Sequence, residues 1–289
     1  MRHFKTFALC VAGFAALSAC EKTIDKEAVD RAMTGVNAID GAGLNDVMLK
    51  AGDPNEAVSY FQRSATAEPD RIDLQRGLAL SLTRAKRTTE ARSAWARVVD
   101  HPDSTNDDRV QLADALIRAG DWDQAEVVLN AIPPTFETYK RYRLEAMIAD
   151  GNKEWDKADS FYEVALGLTT EPASVMNNWG YSKLTRGDHK EAERLFGEAI
   201  QRDPSMFTAK NNLVLARGSQ GNYTIPVIPM TQVERAELLH TMGLTAIKRG
   251  DVQIGQGLLR EAIETHPQHF EAAARSLDAL EQGDTSAVN

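Results

Sequence analysis

The sequence predicts an all-α solenoid of helical hairpins, and three observations predict it. One spaced pattern of small, bulky and small residues recurs about every 34 residues through most of the chain. Gly-Asp pairs stand at Gly52-Asp53, Gly120-Asp121, Gly187-Asp188 and Gly250-Asp251, where a hairpin needs its turn. Prolines close most copies of the pattern, and proline cannot continue a helix. A fixed period of this length marks stacked units, each too small to bury its apolar face alone.

Taken in order, the first element precedes the solenoid. Arg2, His3 and Lys5 lead into an apolar run from Thr6 to Leu17, followed by Ser18, Ala19 and Cys20. That is the layout of a secretory signal peptide over residues 1–19. The run is too short for a membrane-spanning helix, which needs about 20 residues. Leu17-Ser-Ala-Cys20 resembles the lipobox of bacterial lipoproteins, and the resemblance implies that Cys20 becomes the acylated N-terminus while Cys10 leaves with the signal. One acyl chain binds membranes marginally, whereas the several that such lipoproteins carry anchor them stably. Glu21 after the cysteine implies, by the same resemblance, the outer membrane. Residues 20–37 read as a charged, lipid-anchored tether with a short helix over 26–33.

Residues 38–289 read as the solenoid, with about six repeats. The clearest copy runs Gly180, Ala192, Phe196, Ala199 and Pro204. Others run Ala57, Phe61, Ser64, Pro69; Ala91, Trp95, Val98, Pro102; Ala113, Ala125, Leu129, Ile132; Ala146, Ala158, Tyr162, Ala165; and Gly243, Gly255, Leu259, Ala262, Pro267. The small residue that opens each second helix falls at 57, 91, 125, 158, 192 and 255, in steps of 34, 34, 33, 34 and 63. Small, i+4 bulky and i+7 small residues share one helix face. The small ones let two backbones approach and the bulky one fills the hole between them. In the Gly-Asp turns, glycine suits a left-handed C-cap and Asp the next N-cap. This is the tetratricopeptide-repeat (TPR) pattern.

The 63-residue step holds a half repeat at 207–221, with Asn211-Asn212 standing one period after Asn177-Asn178. An extended insertion at 222–231 follows, because Pro226 and Pro229 forbid a regular helix there. It reads either as a packed linker over the unpaired helix or as a docking strap. Thr231-Gln-Val-Glu234 has the form of a capping box and restarts helix. Phe270 to Leu280 reads as a C-terminal capping helix.

The pattern carries no catalytic constellation, cofactor site or metal site. No Gly-rich phosphate loop, Gly-x-Ser-x-Gly elbow or Cys-x-x-Cys pair occurs. His266-Pro-Gln-His269 spans a helix break and lacks a third ligand. The net charge of -9 deepens to -11 once Arg2 and Lys5 leave with the signal, which argues against nucleic acid. What a solenoid offers is a groove lined by its first helices. Register places Arg76, Val110, Arg143, Asn177, Asn211 and His240 there, with Arg84, Arg118 and Lys248 eight residues further along. Asn178, Tyr181 and Asn212 complete the candidate partner-binding set. Arginines and amides in that arrangement suit an extended peptide with acidic character or a free carboxylate.

The segments GDPNEAVSYF, NNWGYSKLTRGDHKEAERLFGEAI and IPVIPMTQVERAELLH, with HPQHFEAA after them, resemble the TPR lipoproteins of the tight-adherence (Flp) pilus assembly system, the TadD-like family. The resemblance spans nearly the whole mature chain. It implies a non-enzymatic assembly factor, lipid-anchored at the periplasmic face of the outer membrane, whose partners are a secretin or other pilus-assembly proteins. Gly255 for the usual alanine and the missing second helix after Gly221 depart from the standard groove. The alternative is a TPR lipoprotein of another envelope machine, for outer-membrane β-barrel assembly or cell-wall synthase activation.

Overall fold

A computed structural model describes residues 43–286, and side chains as far as residue 281. Cys20, the signal segment and the tether lie outside the described residues. Fourteen helices and no strand occur among the described residues. They are α1 (43–50), α2 (Pro54–Ala67), α3 (Ile72–Arg84), α4 (Thr88–Asp100), α5 (Asn106–Ala119), α6 (Trp122–Asn130) and α7 (Tyr139–Gly151). There follow α8 (Trp155–Gly167), α9 (Ala173–Thr185), α10 (His189–Arg202), α11 (Phe207–Ser219), α12 (Gln232–Arg249), α13 (Val252–Thr265) and α14 (Glu271–Ser286).

Each bulky slot of the repeat is buried between a first and a second helix. Phe61, Trp95, Leu129, Tyr162, Phe196 and Leu259 are all in the core, beside the buried small residues Ala57, Ala91, Ala125, Ala158 and Ala192. Burying a tyrosine brings in a hydroxyl that needs a partner, and Tyr162 donates to Asp150 at 2.9 Å. The apolar core falls into successive clusters along the chain, one from Phe61 through Val110 to Leu144, one around Tyr162 and Val175, and one around Phe196 and Leu213. At the junction before α7, buried Arg141 donates to the carbonyls of Pro133 and Phe136 and so fixes the Pro133-Pro134 connection.

The turns follow the sequence logic only in part. Gly120, Gly187 and Gly250 take left-handed backbone (φ 87°, 86° and 95°), but Gly52 does not. In the α3–α4 and α7–α8 turns the left-handed position is taken by Lys86 and Lys153, with φ of 58° and 61°. Asp53 caps α2, accepting from Asn55 and Glu56, and Asp188 caps α10. Asp121 and Asp251 make no such cap, because Arg92 holds the first and Tyr223 donates to the second.

α11 is not followed by a second helix of its own repeat. Residues 222–230 run without helix in that place, with Ile228 against the α9–α11 core and Ile225 against the cores on either side of α12. Thr231 and Glu234 then form a capping box that starts α12. The missing methyl at Gly255 has a direct cause: a Cβ there would lie 2.8 Å from the Gly243 carbonyl oxygen and 2.4 Å from Ile247 Cγ1. The backbones of α12 and α13 cross too closely for alanine.

Candidate functional site

The first helices pack on one another across successive hairpins, α5 on α7, α7 on α9 and α9 on α11. Their shared face opens a cavity of about 490 Å³. α9 contributes Asn177, Asn178, Tyr181 and Thr185, α7 contributes Met147 and Asp150, and α11 contributes Thr208 and Asn212. Helical periodicity explains the set, since residues three and four apart share a face. Met147 and Tyr181 each stand one residue after the small residue of their helix, and Asn177 stands one turn before Tyr181.

The amides bond across the face, not to helix ends. Asn212 Nδ2 donates to Asn177 Oδ1 at 3.1 Å, Asn178 Nδ2 donates to the Met147 sulfur at 3.3 Å, and the Thr241 hydroxyl donates to Asn211 Oδ1 at 2.8 Å. The Tyr181 ring is exposed above them. Asp150 sits at the floor and accepts from Ser182 at 2.6 Å as well as from Tyr162. Burial pushes its carboxyl above the ordinary range despite those two donors.

The basic residues expected in the groove divide into three groups. Arg76 makes a bidentate pair with Asp108, at 2.8 and 2.6 Å, and Arg84 donates to the carbonyls of Met48 and Gly52 at the end of α1. Both are thereby tied to their own chain. Arg118 and Arg143 converge with Lys140 on Asp114. At the far end, His240 lies half-buried under α14, with Nε2 3.2 Å from Ser276 Oγ and its ring edge-on to Phe270, while Lys248 is exposed. Val110 is buried in the core. The structure thus gathers Asn177, Asn178, Tyr181 and Asn212 at one cavity and sets Arg76, Arg84, His240 and Lys248 apart from it.

Met147, Asp150, Thr185, Thr208, Asp114 and Lys140 belong to this face and were not singled out from the sequence. Asp114, Met147 and Tyr181 follow Ala113, Ala146 and Gly180 directly, so the repeat register contained the signal for two of them. His266 bonds to Gln268 and His269 to Glu271, and no group of three or more metal-ligating side chains occurs among the described residues. No described helix is long and apolar enough to cross a membrane.

A family model for the tetratricopeptide repeat matches residues 46–107 and 177–224. Comparison with curated proteins finds no match. Among solved structures, the chain is similar to a tetratricopeptide repeat protein from Parabacteroides merdae, with 13% identity, a TM-score of 0.56 and coverage of 82% of this chain and 95% of that one. It is similar also to the APC/C hetero-tetramer Cut9-Hcn1, with 13% identity, a TM-score of 0.60 and coverage of 81% and 47%, so it spans about half of that chain. Human IFIT1, determined as a dimer with m7Gppp-AAAA, aligns with 16% identity, a TM-score of 0.60 and coverage of 85% and 63%. At such identities the shared feature is the fold. The chain carries the tetratricopeptide-repeat pattern over the matched residues and has the fold of an all-helical solenoid, which offers an extended concave surface.

Proposed function

We propose that this protein is a non-enzymatic lipoprotein scaffold of the bacterial envelope, anchored through Cys20 to the periplasmic face of the outer membrane. Its first-helix face binds protein partners, a secretin or other components, during assembly of a tight-adherence pilus. The observation that carries the binding role is the cavity of about 490 Å³ framed by Asn177, Asn178, Tyr181 and Asn212. Amide and phenol groups at such a face suit the backbone of an extended peptide. The lipobox at Leu17–Cys20 and the family resemblance support the envelope and the pilus. The IFIT1 neighbour holds a capped oligonucleotide, but a chain of net charge -9 repels a phosphate backbone, which favours a peptide here.

Crosslinking in the envelope from position 177 of the full chain, followed by identification of the partner, tests this. Recovery of a secretin supports the pilus reading, and recovery of the β-barrel assembly machinery without a secretin overturns it. Cys20→Ser tests the anchor separately. The variant is expected to lose lipoprotein processing and membrane attachment, and unchanged attachment would refute the lipid anchor.

A further inference from the structure

Three cations on α5 and α7 share a single carboxylate. Asp114 Oδ2 lies 3.0 Å from Arg118 Nε and 3.6 Å from Lys140 Nζ, and its Oδ1 lies 3.8 Å from Arg143 Nη2. Two positive charges are left over. Among the described residues Lys140 bonds otherwise only to the neutral amide of Gln111, and Arg143 Nε is buried with no hydrogen-bond partner. The Lys140 and Arg143 side chains are 22% and 16% exposed, so the excess charge is largely withheld from water, where it is costly. Burial pushes the Lys140 ammonium below its ordinary value; Asp114 opposes that, and the two guanidinium groups add to it. This differs from Arg76, which has a carboxylate of its own.

The cluster is in register with the cavity, because Asp114 holds on α5 the place that Met147 holds on α7 and Tyr181 on α9. Packed helices lie about 8–10 Å apart, and an extended chain advances about 3.3 Å per residue. One helix step therefore corresponds to about three residues of a bound strand. Inside the cavity the ionisable groups are Asp150, Tyr162 and Tyr181, with no cation among the lining residues. That disfavours a second acidic group and suits an apolar side chain beside Met147.

We propose that Arg118, Lys140 and Arg143 receive the side-chain carboxylate of an extended internal segment of a partner protein. The adjoining cavity between Met147, Tyr181 and Asn212 takes a large apolar side chain about three residues away. This rests on the reading of the first-helix face as a partner-binding groove and is independent of the pilus assignment. Asp114 acts as an internal stand-in for the partner's carboxylate. The segment runs through the groove and needs no free terminus, since first helices continue on both sides of the site.

The test is display selection of random peptides, inserted between folded flanks so that no terminus is free, on the purified full chain in detergent. The pools are expected to gain Asp or Glu about three residues from Phe, Leu, Met or Trp. A selected peptide with both ends blocked is expected to bind Arg118→Gln about tenfold more weakly, with the loss shrinking at high salt. It is expected to bind Asp114→Asn more tightly, because an internal competitor is gone. Arg118 is 53% exposed, so its substitution keeps the test valid if Asp114→Asn fails to fold. Pools without an acidic preference, a requirement for a free C-terminal carboxylate, displacement by oligoadenylate in place of peptide, or unchanged binding by Arg118→Gln would each overturn the proposal. A partner recovered by crosslinking from position 177, together with no acidic preference in display, leaves the groove reading standing and removes this one. Failure of both removes both.

Discussion

Replacing Gly255 by alanine sets two opposing effects against each other inside one helix. Alanine is the better helix former by about 1 kcal/mol, so an unobstructed substitution stabilises. At position 255 the new methyl would meet Ile247 Cγ1 at 2.4 Å and the carbonyl oxygen of Gly243 at 2.8 Å. Ile247 can turn aside, but the backbone oxygen moves only with α12. Overpacking of a tight core costs about 1–3 kcal/mol, and a backbone obstacle places this case near the upper end. The net expectation is a loss of about 2 kcal/mol, from about 3 of overpacking and about 1 of propensity. Gly257, two residues along the same helix, is the control: nothing lies within 4 Å of its added methyl, so Gly257→Ala is expected to gain up to about 1 kcal/mol. Urea unfolding followed by circular dichroism measures both, and hydrogen exchange in α12–α14 locates the loss, since a solenoid can unfold in parts. A Gly255→Ala variant as stable as Gly257→Ala would refute the close-crossing account.

Lys210 is only 3% exposed and pairs with Glu234 at 2.9 Å, while Glu234 also accepts from the Thr231 backbone. Glu234→Ala, which strands the buried ammonium, is expected to cost about 3–5 kcal/mol, and Lys210→Met only about 1–3, measured by the same unfolding assay. Against the opposing effect of burial, Arg76 and Thr105 hold the Asp108 carboxyl below the ordinary range, Lys140 and Arg118 hold Asp114 there, and Arg186, Lys183 and Trp179 hold Asp159 there. Lowered folded values mean that stability is fully present above about pH 4–5 and is lost as pH falls through the folded values, which urea midpoints against pH will show. Asp150, raised by burial, works in the opposite sense, its contribution falling as pH rises through the folded value, so Asp150→Asn is expected to deepen the acid loss. Ile225→Ala, which removes a partly buried side chain from two cores, is expected to cost about 1–3 kcal/mol and to raise exchange in α11 and α12.

The hairpins were legible because packing distance constrains residue size. Phe61, Trp95, Tyr162 and Phe196 had to face small residues, and the resulting period survives in the sequence as spacing. The site was legible only where position alone decides it, as at Asn177, Tyr181 and Asn212. Which arginines are available depends on partners about 30 residues away: Arg76 meets Asp108, and Arg84 meets the end of α1. Those pairings follow from side-chain reach across two hairpins and leave no periodic trace. Lys86 and Lys153 were hidden for another reason, since a left-handed turn ordinarily marked by glycine is held there by lysine. His240 faces the groove by register, but α14 crosses over that end and brings Phe270 and Ser276 onto it.

These internal pairings shape the groove as much as the exposed residues do. At the α3 end, Arg76 is matched one to one by Asp108, and at the α12 end α14 covers His240. A matched pair gains little from exchanging its own carboxylate for a partner's, because the desolvation cost recurs and the Coulombic gain is already made. Around Asp114 three cations meet one carboxylate, against two around Asp159, and from α7 to α11 the adjoining face opens to form the cavity of about 490 Å³. On the proposed reading, selectivity along this solenoid arises where unbalanced charge adjoins an open face, which places it on four first helices, α5, α7, α9 and α11.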